Sequence, residues 1–187
     1  WLDCLTDNAF AEWNYFNIAP MTIGVTSANS GGAVNMAYYA PYRGIANCNY
    51  FLTNIANVPI DEAKKTVYIG EVKFLRALMY FDLVNFFGDV ILYKESPASA
   101  DAAKVAKSPK AEVLAFIHED LDAAIASLPE AEYKGHAVKG SATAIKARVL
   151  LYEKKWAEAA SFAQQTMQSG KFSIYNNYLG LFLTGTQ

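Results

Sequence analysis

Gly70-Glu-Val-Lys-Phe-Leu-Arg-Ala-Leu-Met-Tyr-Phe-Asp-Leu-Val-Asn-Phe-Phe-Gly-Asp89 is the stretch on which the fold of this 187-residue chain turns. At 100° per residue, Phe74, Leu75, Leu78, Met79, Phe81, Leu83, Val84, Phe86 and Phe87 spread over most of the circumference rather than forming one stripe. The spacing therefore predicts a helix packed on several sides. Glu71, Lys73, Arg76 and Asp82 are scattered among the apolar positions, and a charge taken out of water needs a partner. Arg76 and Asp82 are expected to have one. Gly88 stands where a helix C′ residue in the left-handed region is wanted, and Asp89-Val-Ile-Leu-Tyr93 then leaves as extended chain.

Helical spacing continues on both sides of this stretch. From Tyr42 the positions Tyr42, Ile45, Ala46, Asn49, Phe51, Leu52 and Ile55 recur as one helix, which Asn57-Val-Pro59 ends. Pro59 near N1, with Asp61 and Glu62 in the first turn, suits the start of the long helix that runs through Phe87. After an Ala-, Ser- and Lys-rich connector over 94–107, Ser108-Pro109 reads as an N-cap and N1 pair. The helix that follows sets Leu114, Ile117, Leu121, Ala124, Ile125 and Leu128 against a face of Glu112, Glu119, Asp120 and Asp122, read as solvated. A polar loop over 130–139 carries His136. Two last helices, 141–154 and 156–169, are joined by almost nothing and predict an antiparallel hairpin, small residues of the first facing Trp156, Ala159, Phe162, Ala163 and Met167, with Gly170 at C′. This resembles a tetratricopeptide unit.

Composition narrows the function. An apolar share of 53% against 18% charged residues excludes a disordered chain and predicts one sizeable core, a single domain over 1–187. A net charge of −2 without a polybasic run disfavours nucleic acid as a partner. No apolar run approaches the roughly 18 residues that span a bilayer. Cys4 and Cys48 allow at most one disulfide and read as buried thiols; with His118 and His136 they make no metal-ligand spacing. No cofactor or metal is expected, and no catalytic residue. The chain has no phosphate-cradling glycine loop, no nucleophile elbow and no pair of carboxylates that sequence holds at a defined separation. His118 and His136 read as surface histidines.

Residues 1–37 differ from the rest: few charges, many Asn, Ser, Gly and aromatics, ending near Ser27-Ala-Asn-Ser-Gly-Gly32. The first forty residues thus read as a loop-rich segment beside a helical scaffold over 41–187. Long ordered loops are often functional. Sugar recognition needs flat aromatic faces over the apolar side of a pyranose, with amides and carboxylates for its hydroxyls. Asp7, Asn8, Trp13, Asn14, Tyr15, Asn29 and Tyr39 supply both kinds and form the candidate ligand set. Two readings stand for most of them. Aromatics on such a segment also seal core edges, Asp7 and Asn8 equally suit an N-cap or turn pair, and Tyr38, Tyr39, Tyr42 and Trp156 have packing as the competing role.

The pattern G-E-x-x-F-L-R-A-x-x-Y-F-x-L-V-x-x-F-G-D-V-x-L from Gly70 to Leu92 resembles the central helix of the SusD/RagB family of surface nutrient-binding lipoproteins from Bacteroidetes. A second match, K-G-x-A-x-A-x-x-A-R-V-L-L-Y-x-x-x-W-x-x-A-x-x-x-A, runs from Lys139 to Ala163, and Ile91 departs from the family's usual proline after the G-D-V turn. The resemblance implies an all-α, tetratricopeptide-like scaffold with long irregular loops. It further implies an oligosaccharide ligand, or a peptide in some members, and a TonB-dependent, SusC-like transporter as partner at the outer membrane. Lipid anchoring through an N-terminal cysteine also belongs to the family, and nothing around Cys4 matches its processing site; the chain is expected to be part of a longer member. A scaffold without its own ligand site is the remaining alternative.

Overall fold

The computed structural model describes residues 4, 6–9, 18, 21, 24, 27 and 31–183. Among them five α-helices follow one another: α1 (Gly32–Asn54), α2 (Glu62–Phe87), α3 (Lys110–Ser127), α4 (Lys139–Tyr152) and α5 (Trp156–Gln168), with 3-10 turns at Ile55–Asn57 and Leu179–Phe182. No strand occurs among the described residues, only an isolated antiparallel bridge between Val90 and Ser108. The fold is all-α, as the helical periodicity predicts. Its residues form two compact units, Trp1–Thr53 with Met79–Leu114, and Asn54–Leu78 with Ala115–Gln187.

Helix α1 begins at Gly32, ten residues before the start expected at Tyr42, and carries Pro41 inside it. Proline there gives no N–H to the preceding turn, so the sequence pattern masked the first turns of the helix. The start of α2 is also set differently from the expectation. Asp61 Oδ1 accepts the backbone N–H of Lys64 at 3.1 Å, so Asp61 is the N-cap and Pro59 lies outside the helix. At its other end Gly88 adopts φ +70° and gives its N–H to the Val84 carbonyl at 3.1 Å, the left-handed C′ residue that the sequence called for.

In the first unit Tyr80, Leu83 and Val84 are fully buried. Gly44 lets α1 approach α2, since a Cβ there would stand 2.5 Å from Met79 Sδ. Past Gly88 the chain pairs Val90 with Ser108, whose N–H donates to the Val90 carbonyl at 2.8 Å. Asp89 Oδ1 accepts the Lys110 N–H at 2.8 Å. The first N–H of α3 is thus satisfied by a carboxylate 21 residues upstream, and Ser108, the expected cap, lies in the bridge with Val90.

In the second unit the expectation for Arg76 is met by Asp120. Arg76 Nε and Nη2 donate to Asp120 Oδ2 and Oδ1 at 2.7 and 2.8 Å, and the side chains are only 6% and 3% exposed. The guanidinium also lies 4.7 Å from the centre of the Phe116 ring. Asp120 is therefore not part of a solvated acid face. Glu112, Glu119 and Asp122 are exposed as expected, whereas Asp82, expected among the charges taken out of water, is exposed instead. Nearby, Ala124, Leu128 and Ala142 form a core against Val67, Phe74, Ile125 and Ala137. Gly70 admits α3, because a methyl there would overlap Ser127 Oγ.

Helices α4 and α5 form the predicted hairpin. Lys154 turns the chain at φ +63°, and Lys155 gives its N–H to the Leu150 carbonyl at 2.9 Å, the 6→1 bond of a Schellman ending without glycine. Lys146 is buried beneath Phe162, 4.9 Å from the ring centre, and pairs with Asp122. Trp156 and Met167, expected to pack, are exposed instead, at 60% and 71%. The inner face of so small a hairpin is already filled by Ala142, Val149, Leu150 and Ala159. Leu75 and Phe86 of α2 are likewise exposed, so the helix is not enclosed on every side by the described residues.

His118, read as a surface histidine, is instead mostly buried, with Nε2 2.5 Å from Glu153 Oε2. His136 is exposed as expected and lies 3.0 Å from Glu71. Burial pushes the Glu153 carboxyl up, but hydrogen bonds from His118 and Lys155 and their charges outweigh it and hold the group below the ordinary carboxylate range.

Two stability predictions follow from these contacts. Arg76→Met leaves a buried carboxylate without its partner and is expected to lower unfolding free energy by about 3–5 kcal/mol, with much of the loss recovered in the Arg76→Met/Asp120→Leu double variant, measured by denaturant titration. For Glu153, the folded pKa lies below the unfolded one, so in that interval the unfolded chain binds more protons and stability rises with pH. The destabilisation by Glu153→Gln is expected to be full above about pH 5 and to shrink as pH falls through the depressed folded pKa; a difference that holds constant into acid would remove Glu153 as the cause.

Candidate functional site

Among the described residues the extended stretch after Gly88 has no sheet to join, and its backbone polar groups find other partners. Side chains of the two neighbouring helices supply them. Tyr42 Oη donates to the Ile91 carbonyl at 2.8 Å, and Asn49 Nδ2 donates to the Tyr93 carbonyl at 2.9 Å. Tyr80 Oη accepts the Tyr93 N–H at 2.8 Å and donates to the Tyr93 carbonyl at 3.0 Å. Tyr93 in turn donates from its hydroxyl to the Ala103 carbonyl at 2.6 Å. At Ile91, where the related pattern has proline, a carbonyl is what the site uses.

This clasp fixes an aromatic group at the surface of the first unit. Tyr38 and Tyr42 rings lie 5.0 Å apart, Tyr38 meets Phe87 edge-on at 5.1 Å, and Tyr42 meets Tyr93 edge-on at 6.1 Å. Burial first, then the Tyr38 hydroxyl, push the Tyr42 phenol far above its ordinary value. Tyr42 thus remains a protonated donor to Ile91 at any physiological pH. Beside these rings opens a mostly apolar hollow of about 390 Å³, with Tyr38, Tyr39, Tyr42, Ile45 and Tyr93 among its walls. That volume lies within the range of small-molecule sites.

Of the candidate ligand residues, Tyr39 is on this hollow. It occupies an outward position on α1 and is 61% exposed, unlike its half-buried neighbours Tyr38 and Tyr42. Asp7 and Asn8 are exposed in a turn in which the Asn8 N–H donates to Thr6 Oγ1 at 3.2 Å. Trp13, Asn14, Tyr15 and Asn29 lie outside the described residues. Sequence reasoning passed over Asn49 and Tyr93 as functional positions. A buried asparagine in the apolar stripe Tyr42, Ile45, Asn49 was the available signal.

Chemically, the hollow offers aromatic faces to an apolar surface. The polar groups lining it are largely occupied, since Tyr42, Asn49 and Tyr93 all spend donors on backbone carbonyls. Polar groups of a bound ligand would therefore be read by groups beyond these three. Among the described residues no cluster of three or more His, Cys, Asp or Glu side chains could hold a metal ion, and neither Cys4 nor Cys48 forms a disulfide. No described helix is long and apolar enough to cross a membrane.

Known proteins fit this architecture. The family model SusD-like_3, described as starch-binding associating with outer membrane, matches residues 4–151. The chain belongs to the SusD-like family. It is 29% identical over 145 residues to SusD-like protein P25 of Formosa agariphila, covering 75% of this chain and 28% of that relative. A SusD-like protein of Bacteroides ovatus is 25% identical over 187 residues, 94% of this chain and 34% of the relative. A solved structure of a laminarin-binding SusD-like protein superposes with a TM-score of 0.84 at 30% identity, covering 91% of this chain and 38% of that one. The chain thus spans about a third of the length of the relatives it matches.

Tyr42→Phe removes the donor to Ile91 and is expected to cost about 1 kcal/mol of stability, whereas Tyr39→Phe, changing an exposed hydroxyl, is expected to cost almost none. Thermal and denaturant unfolding of the two variants side by side checks the distinction.

Proposed function

We propose that the full-length protein captures an oligosaccharide at the cell surface and delivers it to a TonB-dependent, SusC-like transporter in the outer membrane. Family membership, together with a laminarin-binding relative of the same fold, carries this reading. The protein binds and hands over its cargo, and no bond of the sugar is made or broken. In this reading Asp7, Asn8, Trp13, Asn14, Tyr15, Asn29 and Tyr39 contact the ligand, the aromatics against pyranose faces and the amides and carboxylate against hydroxyls. The exposed ring of Tyr39, at the edge of an aromatic hollow, supports its part. Attachment to the membrane is by a lipid on an N-terminal cysteine of the mature protein, which leaves the binding face outside the cell.

Affinity in such a site is a sum of modest contacts, each aromatic stack contributing on the order of 1 kcal/mol. Calorimetric titration of the full-length protein with laminarin oligosaccharides, other glycans and a peptide panel is the test. Saturable glycan binding is expected, and Trp13→Ala and Tyr15→Ala are each expected to weaken it about five-fold. Binding of peptides alone would replace the glycan reading, and binding of neither would leave the protein an interaction scaffold.

A further inference from the structure

A second hollow, in the other compact unit, has a different chemistry. It is polar where the tyrosine hollow is apolar, and it is built from the α4–α5 hairpin and the chain just beyond it, with Thr143, Gln165, Thr166, Gln168, Lys171 and Phe172 in its lining. Its volume is about 280 Å³, close to the lower end of small-molecule sites at about 300 Å³.

The floor is held in place by bonds among its own residues. Thr143 and Thr166 hydroxyls lie 2.8 Å apart, and each also stands 3.1 Å from a carbonyl of its own helix, Gly140 for Thr143 and Phe162 for Thr166, so the two protons serve two of these three contacts at a time. A hydroxyl has one proton and two lone pairs, so these two oxygens retain acceptor capacity. Ser169 Oγ donates to the Thr166 carbonyl at 2.8 Å and accepts the Lys171 N–H at 3.2 Å, which ties the segment after α5 to the hairpin. Gln165 and Gln168 are exposed and carry both donors and acceptors.

Phe172 completes the set. Its ring lies against Gly140, where any Cβ would overlap it, and it remains 39% exposed. The ring is therefore seated by a glycine that leaves room for it, with part of its surface still open to solvent. One aromatic face, two amides able to give and take hydrogen bonds, and fixed hydroxyl acceptors are the groups that a pyranose ring with vicinal hydroxyls requires. Lys139 and Glu130, 3.6 Å apart at the edge, add one charge of each sign.

We propose that this hollow is a second saccharide subsite, taking a single pyranose residue on the face of Phe172 with its hydroxyls read by Gln165, Gln168 and the Thr143–Thr166 pair. It rests on the reading that the protein binds saccharides, but uses none of the residues assigned to ligand there. With room for one ring and few buried donors, it is a weak site that adds to the affinity for a long chain rather than setting it.

The test is calorimetry on the full-length protein with laminarihexaose as the neutral probe and an oligouronate of equal length as the acidic one. In a Trp13→Ala/Tyr15→Ala/Tyr39→Ala background, residual weak binding of at least one probe is expected. Adding Gln165→Ala and Gln168→Ala, both at exposed positions, is expected to weaken that residue of binding by about two- to ten-fold per lost hydrogen bond. Phe172→Leu, which keeps an apolar side chain against Gly140 but removes the flat face, is expected to do the same. Preference for the oligouronate would assign Lys171 and Lys139 to a carboxylate; equal binding of both probes would assign the site to the ring and hydroxyls alone. Residual binding that ignores the glutamine and Phe172 variants overturns the subsite, as does its complete absence in a protein whose unmutated form binds glycan, and in both cases the capture reading stands. If the unmutated protein binds no glycan, both readings fall together.

Discussion

An extended backbone that joins no sheet among the described residues is the constraint on which the first unit depends. After Gly88 reverses the long helix, the chain through Tyr93 has carbonyls and N–H groups that burial would leave costly if unpaired. Tyr42, Asn49 and Tyr80, from two helices, take over the role that a neighbouring strand would play. The consequence reaches the surface. Because the phenol oxygens are committed inward, the rings of Tyr42 and Tyr93 are held at fixed angles, and Tyr38 and Tyr39 on the same helix stand over a hollow with set walls.

The second unit meets a related problem with charge. Arg76 falls on a helix too apolar to give it an open path to water, and its two-pronged pairing with Asp120 satisfies both groups in a buried place. Gly70, six residues earlier, is the steric counterpart, since it admits the end of α3 at Ser127 and the following Leu128. Repeat-like helical scaffolds bury small residues against large ones for the same reason, and the α4–α5 hairpin does so with Ala142 and Ala159. What such a scaffold leaves exposed is then informative. Its polar hollow around Phe172 exists because Gly140 makes space for a ring that a larger residue would expel.

Recognition of the family and of the helices came from local spacing. The Gly70 to Leu92 pattern, the C′ glycine at Gly88 and the nearly loopless α4–α5 connection were readable because each depends on residues within a few positions of one another. Site residues were less legible. Tyr39 stands out by residue type and is exposed at a hollow, whereas of the two residues that build the wall behind it only Asn49, a polar residue in an apolar stripe, carries a local sign and Tyr93 carries none. The first forty residues read as loop-rich because small residues, asparagine and Pro41 weaken the helical signal over a stretch that is helical from Gly32.

Local sequence suffices to make this chain a helical scaffold, to place most of its helices and to require an acidic partner for Arg76. Only the tertiary structure decided that the partner is Asp120, 44 residues away, and that Asp89 caps a helix 21 residues downstream. It alone turned His118 inward to Glu153 and left Trp156 in solvent. The reason is physical: helix periodicity and caps are set by neighbours in sequence, whereas burial and ion pairing are set by which faces meet once the chain has folded.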